Sequence, residues 1–347
     1  MKIEQIYTGC LAQGAYYIES KGEVAIIDPL REVQPYLDKA EQNNAKIKYI
    51  FETHFHADFV SGHVTLSEKT NAPIIFGPTA SPTFKAHIAK DGEVFKLGEI
   101  TITALHTPGH TMESTTYLLK DKNGKDYAIF SGDTLFLGDV GRPDLAQKAA
   151  DMTQEQLAGL LYDSLRTKIM TLADDVIVYP AHGPGSSCGK NLGPETHSTI
   201  AEQKVENYAL QQQSKEEFIK AVTKGLEAPP KYFPVNARIN KEGYGLMDAL
   251  LKKGLTALSV EQFKELSKEP KTLILDTRHA DTFTLGFIPG SISIGLEGRF
   301  AEWAGSLLPF DQEIVLVTDT GNEKESIIRL ARVGFEKFGG HLAGGFE

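Results

Sequence analysis

Thr53-His54-Phe55-His56-Ala57-Asp58 follows, after Glu52, on the apolar run Ile47-Lys48-Tyr49-Ile50-Phe51. That run reads as a strand, and it delivers the chain straight into two imidazoles and a carboxylate. Three companions lie downstream: Thr107-Pro108-Gly109-His110-Thr111, Ser131-Gly132-Asp133-Thr134 and Pro180-Ala181-His182-Gly183. Each sits at or just after the end of an expected strand, at 100–105, 126–130 and 176–179. A rigid sheet can hold short strand-end loops in place. Imidazole nitrogens and carboxylate oxygens suit divalent transition metals. Glycine and proline beside His110 and His182 permit the tight backbone that convergence on one ion needs. A lone buried histidine is more often core than ligand, but four such motifs in this order point to a metal centre.

Working outward, 24–27 reads as a strand that stops at Asp28-Pro29, where proline forbids its continuation. Further strands are expected at 73–77 and 115–119, and helices near 35–43, 62–70 and 155–171. Strands interleaved with helices and hairpins predict an α/β layered domain. From about 195 to 223 the chain is polar and helix-prone, with Gln211, Gln212 and Gln213 on a solvated face. Ala228-Pro229-Pro230-Lys231-Tyr232-Phe233-Pro234 excludes helix and is expected to wrap over a neighbouring surface. A second periodic region starts near Ser259, with strands at 272–276 and 313–317 and a helix after Gly321. The expected division is a first domain over 1–257, with its helical and proline-rich extension, and a smaller α/β domain over 258–347.

The 347 residues suit two domains at roughly 150 residues each. Hydrophobic residues at 41% supply enough apolar content for real cores, which excludes a mainly disordered chain. Acids outnumber bases 46 to 36, so the net charge of −10 opposes nucleic acid or anionic lipid as a partner. No apolar run is long enough to span a bilayer and the N-terminus shows no signal peptide. The two cysteines, Cys10 and Cys188, are too few for a disulfide framework. A cytoplasmic enzyme, away from membranes, is the expectation.

The ordered set H-x-H-x-D, TPGHT, SGD and PAHG resembles the metallo-β-lactamase superfamily over about the first 200 residues. The resemblance implies an αββα sandwich with a metal site at one edge. Two-metal members carry a histidine after the aspartate of the first motif. Phe59 stands there and offers no lone pair, which favours one metal. The stretches 53–63 and 138–144 further resemble bacterial persulfide dioxygenases. By that resemblance one Fe(II) per chain is held by His54, His110 and Asp133, two histidines and one carboxylate that leave positions open for O2 and substrate sulfur. His56, Asp58 and His182 are then groups behind the ligands that orient them. The implied reaction takes a low-molecular-weight thiol persulfide, O2 and water to free thiol and sulfite, in sulfide detoxification. Glutathione, coenzyme A, bacillithiol and cysteine persulfides all remain open as substrate. Arg142 is expected to contact the anionic carrier, since a guanidinium fork suits carboxylates. Cys188 is expected near the iron, where it could relay sulfane sulfur with Lys190 favouring its thiolate. Cys10 reads as core, and His63, His87, His106, His197, His279 and His341 receive no role.

The second region, through Leu275-Asp276-Thr277-Arg278, Gly286-Phe287-Ile288-Pro289-Gly290-Ser291-Ile292 and Ile314-Val315-Leu316-Val317, resembles a rhodanese-like domain. Working members place a sulfur-carrying cysteine after that last strand. Here Thr318-Asp319-Thr320-Gly321-Asn322-Glu323-Lys324 has none, so the domain is expected to be inactive in sulfur transfer and to serve packing, docking or oligomerisation. A homo-oligomer is expected, and the close at Gly344-Gly345-Phe346-Glu347 reads as a truncated end, with room for a further rhodanese module downstream. The alternative readings are a thioester hydrolase resembling glyoxalase II, with water-activating metals, and a non-enzymatic scaffold.

Overall fold

Ala15, Tyr17, Val24 and Ile26 are buried against one layer, and their neighbours Tyr16, Ile18, Ala25 and Ile27 against another. A strand whose alternate side chains are all apolar must be covered on both faces. The protein, a computed structural model, is described over residues 1–346. Six strands form the first sheet in the order β1 (Lys2–Thr8), β2 (Gln13–Ser20), β3 (Glu23–Ile27), β4 (Lys46–Phe51), β5 (Ile74–Phe76), β6 (His87–Ile88). The second sheet runs from β12 (Ser198–Thr199) through β11 (Ile177–Pro180), β10 (Asp126–Gly132), β9 (Thr115–Lys120) and β8 (Ile100–His106) to β7 (Val94–Leu97).

Tyr16, Phe51 and Ile75 of the first sheet meet Ile102, Tyr117 and Phe130 of the second in the central core. The helices Gln34–Gln42 and His63–Thr70 cover the outer face of the first sheet through Tyr36, Ala40 and Leu66. The helices Gln154–Ser164, Ile200–Glu206 and Lys215–Thr223 cover the second through Leu161, Ile200 and Phe218. This is the expected αββα sandwich. The sequence expectation lacks strands β1, β2 and β7 and the two-residue strands β6 and β12.

β4 runs parallel to β3, and β11 parallel to β10. Two antiparallel steps through β9 give β8 the direction of β10. The loops after β8, β10 and β11 therefore leave from one edge of their sheet. A register shift between Phe130 and Gly132 precedes the turn that aims Asp133.

A third, all-parallel sheet has the order β13 (Ala257–Leu258), β17 (Phe338–Leu342), β16 (Glu313–Val317), β14 (Thr272–Asp276), β15 (Ile292–Ser293). Helices Phe300–Leu307 and Glu323–Arg332 pack on one face and Val260–Leu266 on the other. One hydrophobic cluster runs through both parts, joining Leu11, Phe59, Phe136 and Cys188 to Tyr232, Phe233, Phe300 and Ala304. Val60 N donates to the Arg332 carbonyl at 2.7 Å, and the buried Arg31 pairs with Glu336 at 2.7 Å. The proline-rich stretch corrects one expectation: Phe233 and Pro234 open the helix Phe233–Glu242. Proline is tolerated in a first turn because its missing N–H would have no helical partner there. Among the described residues no helix is long and apolar enough to cross a membrane.

Candidate metal centre

The strand-end loops bring His54, His110 and Asp133 together, with one ligand atom of each within 4.8 Å of the others. His56, Asp58 and His182 form a second group on the same criterion, and Asp133, His182 and Cys188 a third. All these residues are buried. Backbone fit is tight: a Cβ on Gly141 would lie 2.2 Å from the Asp133 carbonyl oxygen and 2.8 Å from His110 Nδ1.

Hydrogen bonds decide which nitrogen faces inward. Thr53 Oγ1 gives its proton to Asp28 Oδ2 at 2.8 Å, so it accepts from His54 Nδ1 at 2.9 Å. His110 Nδ1 donates to the Arg142 carbonyl at 2.9 Å, and His182 Nδ1 to the Ala12 carbonyl at 3.2 Å. In each ring the Nε2 lone pair is then left pointing at the centre. Asp133 Oδ2 lies 3.4 Å from His110 Nε2 and 3.9 Å from His54 Nε2; its Oδ1 lies 3.4 Å from His182 Nε2. Neither Asp133 oxygen has a hydrogen-bond donor, nor have His54 Nε2, His182 Nε2 or either Asp58 oxygen. Buried acceptors facing one another without a donor are costly. A divalent cation among His54, His110 and Asp133 would take up the inward lone pairs of all three, so these residues fit a metal.

Charge separates the two histidines of the first motif. Burial, reinforced by His56, His110 and His182, holds His54 well below the usual imidazole range, which keeps it neutral as a ligand must be. Burial opposes charge on His56 too, but Asp28, whose Oδ1 lies 3.0 Å from His56 Nε2, together with Glu52 pushes it up to about 10. Burial raises the carboxyls of Asp58 and Glu52. Asp28 is the hub: besides His56 it takes Thr53 N at 2.8 Å and Thr53 Oγ1 at 2.8 Å. Its φ of +50° is a conformation that a non-glycine residue holds only where its surroundings enforce it.

Three expectations are corrected. The Arg142 fork is filled by Asp144, with Nε to Oδ1 at 2.7 Å and Nη2 to Oδ2 at 2.8 Å, and the Ser187 and Glu227 carbonyls take further donors. It is buried, and its fork is committed within the fold. Lys190 does not serve Cys188: its Nζ donates to the Ala221 carbonyl at 2.7 Å, and burial followed by the charges of Asp58 and Asp133 pushes the Cys188 thiol well above its ordinary range. Cys10 is not fully in the core but half-buried at its edge, packed against the main cluster.

Reading the sequence missed Asp28, Glu52, His63 and Asn240. Asn240 Nδ2 donates to the carbonyls of His56 and Phe59, both at 2.8 Å, and its Oδ1 accepts from Ser61 N at 2.9 Å. His63, fully buried, sets Nδ1 3.5 Å from Glu52. Asp28 and Glu52 could have been found, since each follows a strand end as the named motifs do. Asn240 carried no such mark.

Residues 8–182, half of the chain, match the family model of the metallo-beta-lactamase superfamily. The chain belongs to this superfamily. Residues 259–347 match the rhodanese-like domain. A crystal structure of a metallo-beta-lactamase from Staphylococcus aureus superposes with a TM-score of 0.86 at 30% identity, covering 99% of this chain and 98% of that one. ETHE1 from Myxococcus xanthus gives 0.58 at 28%, over 70% and 98%. Human mitochondrial persulfide dioxygenase ETHE1 is 30% identical over 57% of this chain and 70% of its own. The cytoplasmic hydroxyacylglutathione hydrolase of Arabidopsis thaliana is 32% identical over 52% and 67%. Further hydroxyacylglutathione hydrolases, from Schizosaccharomyces pombe and Francisella tularensis, are matched over 58% to 61% of their own length.

Proposed function

We propose that this member of the superfamily is a persulfide dioxygenase that holds one ferrous ion through His54, His110 and Asp133. The observation that carries the reading is the donor set: two imidazole nitrogens and one carboxylate facing inward, with apolar Phe59 beside His56 at a ring separation of 4.4 Å. Two histidines and a carboxylate suit Fe(II) and leave positions open. When bound, ferrous iron supplies the electrons by which O2 is activated towards sulfur. Likeness to the human and Myxococcus proteins supports the same substrate class, a low-molecular-weight thiol persulfide.

The chain's own residues then have definite tasks. Thr53 and the Arg142 carbonyl fix the tautomers of His54 and His110. His56, charged against Asp28, presents a fixed positive group beside the centre where an anionic persulfide would come. Cys188 stands next to Asp133 as a neutral thiol, because burial keeps its proton on. At the end of β16, Thr318 occupies the place of a sulfur carrier, and its hydroxyl donates to the Asp319 carbonyl at 3.0 Å. We infer that this second unit moves no sulfur through that loop.

Likeness to the hydroxyacylglutathione hydrolases favours a second reading, thioester hydrolysis by metal-activated water. Oxygen uptake by anaerobically purified, iron-quantified protein given glutathione persulfide separates the two. Uptake that scales with iron, yields sulfite and vanishes in Asp133→Ala supports the dioxygenase. No uptake by iron-loaded protein, with turnover of S-lactoylglutathione by zinc-loaded protein, replaces it with the hydrolase.

A further inference from the structure

A cavity of about 850 Å³ opens between the two parts of the chain, lined by none of the metal-centre residues. Cys10 and Glu32 come from the sandwich; Arg299, Lys324, Arg329 and Arg332 come from the smaller unit. With Glu325 the charged lining is four cations against two carboxylates, and Arg299 is further paired with Glu302, so the surplus charge is that of Lys324. Glu32 is taken up by Arg332, whose Nε donates to Oε1 at 2.9 Å and Oε2 at 3.1 Å. Lys324 is exposed and makes no ion pair among the described residues. Arg329, only 7% exposed, donates through its terminal nitrogens to the Leu296 and Gly298 carbonyls and lies 3.5 Å from Glu325, leaving Nε alone without a partner. At the start of the helix Glu323–Arg332 the cavity also takes in Gly321, whose N–H donates to Glu323 Oε2 at 2.9 Å. Half-buried Cys10 lies on its wall, with Arg332 Nη1 3.4 Å from Sγ.

We propose that this inter-domain cavity binds an anionic low-molecular-weight thiol persulfide and that Cys10 accepts its outer sulfur. An anion-attracting cavity with an accessible thiol on its wall fits a carrier that brings carboxylates and a reactive sulfur together. The choice of persulfide over disulfide rests on the function proposed above. In the transfer, Cys10 sulfur attacks the outer sulfur of R–S–S–H. The bond between R–S and that sulfur breaks, the Sγ–S bond forms, and R–S leaves with the electron pair. The proton shed by Cys10 ends on the released thiol, so no oxidant is consumed. The chain would thus hold a sulfur store on its first domain, replacing the cysteine missing after β16.

The test uses the full chain, treated with chelator and with glutathione persulfide under nitrogen, followed by peptide mass mapping. One extra sulfur on the Cys10 peptide is expected, absent in Cys10→Ser, with labelling roughly tenfold slower in Lys324→Glu because the field that attracts the anion is reversed locally. Circular dichroism confirms that both variants fold. Extra sulfur only on Cys188, or labelling of Cys10 indifferent to Lys324→Glu and to Lys324→Gln, overturns the inference. Oxygen uptake by iron-loaded Cys10→Ser is read in parallel. Uptake without a Cys10 adduct sinks the cavity and leaves the dioxygenase; an adduct without uptake in the parent chain does the reverse.

Discussion

Asp28 decides the charge of His56, and so the two histidines of a single motif end in opposite states. His54 is neutral with a lone pair turned inward, whereas His56 is held as a cation by a carboxylate 3.0 Å away. In the metal-free chain this coupling makes stability fall as pH rises. His56 binds its proton more tightly folded, about 10 against an ordinary 6.5, so its contribution is complete below 6.5 and is lost towards 10. Glu52 is raised as well and acts in the same direction from 4.5 upward. Denaturant titrations of chelated protein at a series of pH values should show this decline, worth more than about 1 kcal/mol since one unit is about 1.4 kcal/mol. Asp28→Asn should flatten the part above pH 6.5; an unchanged slope would show that Asp28 is not the cause. The same substitution frees the Thr53 hydroxyl proton, letting His54 turn its tautomer, so metal content should drop about tenfold or more.

At the scale of elements, two glycines and one helix hold the loops in register. Gly109, at φ +144°, leaves no room for a side chain: a Cβ there would lie 2.4 Å from the Leu161 backbone, in the helix Gln154–Ser164. Gly141 lies against both Asp133 and His110, so Gly141→Ala must push apart two proposed ligands. Metal analysis of purified Gly141→Ala should find most of the bound metal gone while circular dichroism keeps the α/β signature. Full metal occupancy would place that loop outside the centre. Asn240 extends the argument to the helix Phe233–Glu242. Asn240→Leu strands two carbonyls and one N–H of the first metal loop, costing about 2–4 kcal/mol in a urea melt and lowering metal affinity about tenfold or more. A melt within 1 kcal/mol of the parent, roughly the scale of a single surface change, would show those bonds to be replaced by water. These elements also mark what could be read from sequence. His54, His110, Asp133 and His182 announce themselves because each is embedded in a short glycine- or proline-bearing motif after a strand. Asn240 does not, because it acts on Ser61 from 179 positions away and carries no motif of its own. Arg142 misled for a local reason: its motif fixed the residue type, while Asp144 two positions on fixed where the fork points.

Across the whole molecule the two units share one core, and the metal loop is part of it. Phe59 and Cys188 sit in the same cluster as Phe300 and Ala304 of the smaller unit, and Gly305 packs so closely on Tyr232 that a Cβ added there would lie 2.7 Å from its ring. A boundary of that kind couples stability across it. We therefore expect calorimetry of the full chain to show one cooperative transition, not two. Metal that binds only the folded centre should raise that transition as a unit, by about 4 kcal/mol of stability at a free concentration a thousand times its dissociation constant. Phe300→Ala, which empties a fully buried site in the smaller unit, should lower the same single transition by about 3–5 kcal/mol. It should also loosen the centre, because Phe59 loses packing behind His56, and the metal should dissociate faster. Two peaks, with only the first responsive to metal and only the second to Phe300→Ala, would mean that the shared cluster transmits nothing and that the smaller unit merely adjoins the sandwich.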